Sequence, residues 1–230
     1  DMQLVPVYEK FIKAVESDGG DSFFRGYLGY EPMQALMAEY MSPETFCMEW
    51  FDNQDELLKL YEALVCKRRE TYELCARSPA MVFNYGGNAI PEVLGLDRFK
   101  KYYIPHYNEA AEILHAHGKK IGVHFDANCK LFADEIAKTD LDYIEAFTPA
   151  PDTDMTLAEA RVKWSDKILW INFPSSVHLD TIDVIKETTR DLLKQINRPE
   201  KFLMGITEDI PEDRWQNNLL AISDILDEYM

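Results

Sequence analysis

Apolar residues along this chain follow two different periods. Six short runs are rich in β-branched and aromatic residues, which pack well on the pleated surface of a sheet. These runs predict strands at residues 23–28, 80–85, 121–125, 143–147, 168–173 and 202–206. Elsewhere apolar residues recur every three or four positions, as in helices that bury one face. They predict helices at residues 4–15, 33–41, from 43 onward, 54–76, 96–117, 131–138, 156–164, 181–196 and 211–229.

The alternation of strand and helix, six times over, predicts the fold class. Successive parallel strands need crossover helices, so this order predicts an α/β protein with a parallel sheet and right-handed connections. A doubly wound sheet would carry a glycine-rich phosphate turn after an early strand, and Gly86-Gly87 does not fit that pattern. A (β/α)8 TIM barrel needs eight strand–helix units, of which six are present. We therefore interpret residues 1–230 as one domain, an N-terminally incomplete barrel that lacks about two units.

Charge and cysteine content exclude several functions and partners. The chain carries 24 basic and 41 acidic residues, a formal net charge of −17, which disfavours binding to nucleic acid or to an anionic membrane. The four cysteines are not spaced as CxxC pairs, and a chain of this size does not depend on disulfides. No segment approaches the length of a membrane span. These features predict reduced thiols and a cytoplasmic protein.

Polar residues follow all six predicted strands, at the end where barrels place their active sites. His124, Asp126 and Asn128 follow the third strand, and Glu145 stands inside the apolar run of the fourth, where an unpaired carboxylate would be costly. Any one of them alone is as well explained by a structural role, such as capping a helix. Together they could bind a divalent metal or act as general acid and base. The further candidates at strand ends are Tyr30, Asn84, Asn88, Asn172 and Glu208.

Several segments, in their order and spacing, resemble the uroporphyrinogen decarboxylase superfamily, which includes cobalamin-dependent methyltransferases. Residues 96–105 resemble the segment in which a Phe, a Lys-Tyr pair and a Pro open a long helix, and residues 117–126 resemble a helix–Gly–strand–His motif. Further similar segments are 24–40, 141–147, 169–172 with 181–184, and 205–211 with Asn218. The resemblance implies a (β/α)8 barrel, in agreement with the two missing units.

The resemblance also implies a site chemistry. The methyltransferases bind zinc through a His-x-Cys pair and a later Cys, which correspond here to His124, Asp126 and a position near Glu208. Carboxylates thus replace sulfur ligands, so zinc or another divalent metal at these three residues is expected without the usual thiolates. The expected function is methyltransferase-type, on a small methylated substrate with a corrinoid protein as partner. His124, Asp126, Glu145 and Glu208 would be catalytic; the expected substrate-binding residues are Tyr30, Asn84, Asn88, Asn128 and Asn172.

Three other functions remain open from the sequence. A cofactor-free decarboxylase would act on a tetrapyrrole or another carboxylate. A glycosidase-like barrel would use Glu145 and Glu208, about 5 Å apart in a retaining enzyme or about 6.5–9.5 Å apart in an inverting one. A non-catalytic barrel is the third, because fold does not fix function. A homodimer is also compatible with the sequence.

Overall fold

The computed structural model describes residues 4–196, 199–206 and 210–229, which form two compact units. One unit contains the described residues up to 124 together with 138–142, and the other contains 125–137 and those from 143 onward. Each unit holds three parallel strands that neighbour one another in chain order. The predicted α/β class, with strands and helices alternating as in part of a barrel, is thus confirmed.

The first unit is built on strands β1, β2 and β3. β1 spans Gly26–Tyr27, β2 Val82–Tyr85 and β3 Lys120–His124. Gly26 pairs with Phe83, and Phe83 pairs in turn with Ile121, so the three strands end close to the same level. The helices are α1 (Glu9–Asp18), α2 (Pro32–Ala35, continued by a π-helical turn over Leu36–Tyr40), α3 (Pro43–Asp52), α4 (Gln54–Ala76), α5 (Pro91–Tyr102) and α6 (Ile104–His115).

The second unit is built on strands β4, β5 and β6. β4 spans Tyr143–Phe147, β5 Ile168–Phe173 and β6 Phe202–Ile206. Its helices are α7 (Ala133–Ala137), α8 (Leu157–Lys163), α9 (Ile182–Gln195) and α10 (Trp215–Tyr229). Short 3-10 turns cover Lys130–Phe132, Ser175–Leu179 and Pro199–Lys201. No helix among the residues described in either unit combines the length and the apolar character needed to cross a bilayer.

Aromatic side chains make up much of both cores. In the first unit, buried Tyr85 contacts the rings of Tyr72 and Tyr107 edge-to-face, with centroids 5.7 and 5.8 Å apart. In the second unit, the buried ring of Trp164 contacts Phe147 at 5.5 Å, and its indole N–H donates to the carbonyl of Ala133 at 2.9 Å. Such pairs stabilise a core beyond the area they bury, and the hydrogen bond satisfies the buried indole N–H of Trp164.

Three helices differ from the sequence predictions. The predicted helix 96–117 is two helices that meet at Tyr103, because Pro105 has no N–H and is favoured in a first helical turn. α1 has no buried residue, although its apolar spacing predicted a packed face. The stretch predicted as helix from residue 33 changes to π-helical geometry at Leu36 and ends before Met41. Periodicity locates such helices but does not show what covers them.

Removing the cap of α8 should weaken the second unit measurably. The Thr156 hydroxyl accepts the N–H of Glu159 at 3.2 Å, and the Glu159 carboxylate accepts the N–H of Thr156 at 2.9 Å, forming a capping box. We expect Thr156→Ala to lower the free energy of unfolding by about 1 kcal/mol in denaturant titrations. Thr181→Ala at α9 removes a single, longer cap bond of 3.4 Å and should cost less. An equal or larger loss at Thr181 would contradict this ranking.

Candidate functional site

The strand ends of the first unit enclose a cavity of about 370 Å³. In parallel α/β sheets, functional groups lie at the carboxyl ends of the strands, and this cavity has that position. It brings together three residues predicted from the sequence, namely Tyr30 after β1, Asn84 on β2 and His124 at the end of β3. The other lining residues are Arg25, Gly26, Tyr27, Gly86 and Gly87.

Backbone hydrogen bonds join the two loops that form the cavity wall. The N–H of Leu28 donates to the carbonyl of Asn84, and the N–H of Gly86 donates to the carbonyl of Gly29, both at 2.9 Å. Gly29 and Gly86 have φ values of +88° and +76°, in the left-handed region that favours glycine. The loops after β1 and β2 are therefore held together by their own backbones, which fixes the residues they carry.

Two tyrosines, Tyr27 and Tyr30, line this cavity. The rings of Tyr27 and Tyr30 meet edge-to-face with centroids 6.3 Å apart, and the Tyr27 hydroxyl donates to the Gly86 carbonyl at 3.2 Å. Burial, followed by the nearby Tyr30 and Glu31, raises the pKa of Tyr27 to about 12. The Tyr27 hydroxyl therefore stays protonated near neutral pH, as a hydrogen-bond donor.

Asn88 lines a different and smaller cavity, of about 90 Å³. Its carbonyl accepts a hydrogen bond from the side-chain N–H of Gln34 at 3.1 Å, and Gln34 in turn accepts the hydroxyl of Tyr103 at 2.7 Å. This contact holds the loop after β2 against α2. In this first unit, the structure thus groups Tyr30, Asn84 and His124 but places Asn88 elsewhere.

The remaining described candidates belong to the second unit. Asp126 and Asn128 follow β3, Glu145 lies on β4 with 7% of its surface exposed, and Asn172 lies half-buried on β5. The Asn128 side-chain oxygen accepts the N–H of Asp154 at 3.1 Å, and the Asp154 carboxylate accepts the N–H of Cys129 at 3.1 Å. Asn128 therefore braces two loops. Glu208 lies outside the described residues, so the Glu145–Glu208 pair stays a prediction.

A second cavity, of about 650 Å³, lies beside Asp152 in the second unit. Asp152 accepts the Ser175 hydroxyl and the Ser176 N–H, both at 3.1 Å, and also the Ser176 hydroxyl. Burial raises the pKa of this carboxyl, but the bonds from Ser176 and Ser175 outweigh burial and lower the pKa overall. The carboxylate is thus held as an acceptor. Sequence reasoning missed Asp152, although it follows the predicted strand end Thr148-Pro149.

Comparison with known proteins identifies the family to which this chain belongs. The family model for uroporphyrinogen decarboxylase (URO-D) matches residues 36–229. The chain belongs to the uroporphyrinogen decarboxylase family. Among solved structures it is similar to a methyltransferase from Methanosarcina mazei, with a TM-score of 0.67 and 13% sequence identity. The match covers 94% of this chain and 62% of that structure's chain, and at this identity it shows the fold. No curated protein matches.

The metal expected from the family resemblance has no complete set of ligands among residues 4–196, 199–206 and 210–229. No three His, Cys, Asp or Glu side chains lie together there. Burial, and then the nearby Asp154, raises the pKa of the Cys129 thiol to about 12, so this residue is not a ready thiolate. The zinc–thiolate pattern of the methyltransferases of this family does not fit these residues. The set of His124, Asp126 and Glu208 stays a prediction, since Glu208 lies outside them.

Sequence reasoning also missed residues around the first cavity of this uroporphyrinogen decarboxylase family member. Arg25 and Tyr27 line the cavity, and Glu31 is fully buried directly beneath it. Arg25 was visible as the one basic residue on a predicted strand, and this was the available signal for it. Glu31 stands beside Tyr30 among the polar residues at the end of the first predicted strand, but the turn Gly29-Tyr30-Glu31-Pro32 gives no sign that it is buried or belongs to the site.

Proposed function

We propose that this chain carries the substrate-binding part of a methyltransferase-type enzyme of the uroporphyrinogen decarboxylase family. Its substrate would be a small methylated molecule, and a corrinoid protein its partner. The observation that carries the proposal is the 370 Å³ cavity at the ends of β1, β2 and β3. Ligand pockets in proteins range from about 300 to 1,000 Å³, so this volume suits a small molecule.

The residues lining the cavity have distinct proposed roles. Asn84 and the hydroxyl of Tyr27 would orient polar atoms of the substrate, and the ring of Tyr30 would cover an apolar part. His124, at the tip of β3, would accept or donate a proton at the reacting group. A corrinoid, when the partner protein brings it, supplies the methyl-accepting centre. This chain then binds the substrate, orients it and limits the access of water.

Charge favours this reading over decarboxylation of a tetrapyrrole. A tetrapyrrole substrate carries several carboxylates, and their recognition calls for several cationic side chains. Among the described residues that line this cavity, Arg25 is the one guanidinium or ammonium group. The net charge of −17 further disfavours a polyanionic ligand. Decarboxylation therefore becomes the alternative outcome of the assay.

Replacing His124 by alanine should impair methyl transfer. Full-length protein would be assayed with methanol, methylamines, methyl thioethers and methyl ethers, including the anionic methoxybenzoates, as donors and with free reduced cobalamin as acceptor, followed by absorbance. For an active donor we expect His124→Ala to lower kcat/KM at least about tenfold, or about 1.4 kcal/mol. The matched control is His117→Ala, at an exposed residue beyond α6, which should retain activity.

Two further readouts separate the alternatives in the same experiment. Release of carbon dioxide from uroporphyrinogen without methyl transfer from any donor would favour the decarboxylase. Elemental analysis of mildly purified protein tests the metal at His124, Asp126 and Glu208: a bound divalent metal should be lost in His124→Ala. Assembly as a homodimer and a cytoplasmic location stay predictions.

A further inference from the structure

A buried carboxyl group lies directly beneath the first cavity. Glu31 has 0% of its surface exposed. Neither of its carboxyl oxygens has a hydrogen-bond partner of normal geometry within the described part of the chain. The hydroxyl of Tyr107 faces the carboxyl group closely enough to lower its pKa. A buried polar group without such a bond is costly, so its presence calls for an explanation.

The ordinary structural explanation does not apply to Glu31. The residue precedes α2 at the N-cap position, where a side chain commonly accepts a hydrogen bond from the first turn. The Glu31 side chain makes no such bond, and Pro32 occupies the first helical turn. Only the backbone carbonyl of Glu31 serves the helix, by accepting the N–H of Ala35 at 2.8 Å. Any residue supplies that carbonyl, so helix formation does not require the carboxyl group.

The position of Gly86 places this carboxyl group next to the cavity. Gly86 lines the cavity, and a Cβ atom added to it would overlap both carboxyl oxygens of Glu31. The carboxyl therefore occupies the space that a side chain at position 86 would fill. Gly86 therefore borders both the cavity and the carboxyl group. Because Glu31 is shielded from water, a charge on it would act strongly on a ligand that binds against Gly86.

The surroundings of Glu31 allow its carboxyl group to gain or lose a proton near neutral pH. Burial raises its pKa to about 7, against smaller lowering effects of hydrogen bonding from Tyr107 and from its own backbone N–H, and of the charge of Arg68 on α4. Burial raises the pKa values of the surrounding tyrosines even further, so they stay neutral. These are Tyr27 on β1, Tyr72 on α4, Tyr85 on β2, and Tyr103 and Tyr107 on or beside α6.

We propose that the cavity binds a small ligand with one anionic group, such as a carboxylate, and takes up a proton at Glu31 as it does so. Arg25 and the side-chain N–H groups of Asn84 would receive the anionic group. An ionised Glu31 beneath Gly86 would repel that group, whereas a protonated Glu31 would not. By linkage, the bound anion favours the protonated carboxyl, and the protonated carboxyl favours the anion. The proposal rests on the proposed function, because it takes this cavity as the substrate site. It narrows the substrate to a methylated molecule with one negative charge.

Calorimetry with benzoate as the probe and benzamide as its neutral counterpart tests this coupling in the full chain. Titrations at pH 7.5 in two buffers of different ionisation enthalpy should show proton uptake with benzoate and none with benzamide. The affinity for benzoate should fall up to about tenfold per pH unit above the pKa of Glu31. Glu31→Gln should still bind benzoate but lose both the uptake and this pH dependence. Glu39→Gln, at an exposed glutamate of the same segment, should keep both.

Several outcomes would overturn the proposal. These are no benzoate binding at millimolar concentration, binding without proton uptake, and an unchanged pH dependence in Glu31→Gln. If the Glu31→Gln variant does not fold, a measurement on the unmodified chain still tests the proposal. Carbon-13 NMR of the glutamate carboxyls should show one group titrating near pH 7 that shifts upward with benzoate; a group that does not shift would contradict the proposal. Methyl transfer is assayed separately. If no methyl transfer is observed, the proposed function is refuted, whereas anion binding coupled to proton uptake at Glu31 is still decided by the calorimetry.

Discussion

Alanine in place of Gly86 should lower the free energy of unfolding by about 3 kcal/mol. Two costs add at this position. A residue with a Cβ atom loses about 1–2 kcal/mol in the left-handed region, where Gly86 has φ +76°. The added methyl group would also overlap the carboxyl of Glu31, and overpacking of a closed core costs about 1–3 kcal/mol. Because Glu31 has no exposed surface, its carboxyl has little room to move aside.

Gly118→Ala separates these two costs. Gly118 ends the segment after α6 with φ +70°, and a Cβ atom there would meet nothing within 4 Å. This variant should lose about 1 kcal/mol, from backbone strain alone. Denaturant titrations of both variants, together with Gly86→Ala in a Glu31→Ala background, measure the difference. The second change opens space, so Gly86→Ala should cost less there than in the natural chain. Equal losses at Gly86 and Gly118 would show that Glu31 does not fill the space beneath Gly86.

The fold could be predicted where burial dictates composition. β4, β5 and β6 begin and end where their β-branched and aromatic runs do, because these residue types pack well on the pleated surface of a sheet. β1 is shorter than predicted, spanning Gly26–Tyr27, and the aromatic residue at the start of the predicted run, Phe23, is exposed. The apolar face of α1 remains uncovered. Whether a helix face is covered depends on its tertiary neighbours, and the apolar periodicity of the sequence does not identify them.

The site was predictable only in part, for a related reason. Parallel strands place their ends together, so Tyr30, Asn84 and His124 could be assigned to one edge from their positions in the chain. Glu31 could be placed at the same edge, but its burial could not be predicted, because it depends on Gly86, 55 positions later, and on the tyrosines of α4 and α6. The predicted helix 96–117 likewise gave no sign that His106 is buried, with 4% exposure and its Nε2 2.7 Å from the Tyr61 hydroxyl.

His106 and Glu31 should give this protein two opposing dependences of stability on pH. Burial lowers the pKa of His106 from its usual 6.5 to about 4, so the folded chain keeps this imidazole neutral. As pH falls from 6.5 towards 4, the unfolded chain binds a proton that the folded chain does not. Stability from this residue is therefore present above pH 6.5 and is lost on acidification, by about 3 kcal/mol.

Glu31 acts in the opposite direction over nearly the same range. Burial raises its pKa from 4.5 to about 7, so the folded chain keeps a proton that the unfolded chain has already lost. Stability from this residue is present below pH 4.5 and is lost as pH rises to about 7, again by about 3 kcal/mol. Between pH 4.5 and 6.5 the two contributions cancel in large part, so the natural chain should show less dependence on pH than either residue alone would give it.

Single variants should reveal each contribution when unfolding free energies are compared with the natural chain from pH 4 to 8. Glu31→Gln should gain about 3 kcal/mol relative to the natural chain as pH rises from 4.5 to 7, since it has no proton to lose. His106→Gln should gain a similar amount as pH falls from 6.5 to 4. Glu39→Gln and His117→Gln, both at exposed positions, should run parallel to the natural chain. A Glu31→Gln curve that also runs parallel would mean that this carboxyl ionises inside the fold as easily as in the unfolded chain. The carboxyl of Glu31 would then be ionised at neutral pH, next to the cavity that Gly86 lines. Binding of an anionic ligand would not be coupled to proton uptake at Glu31.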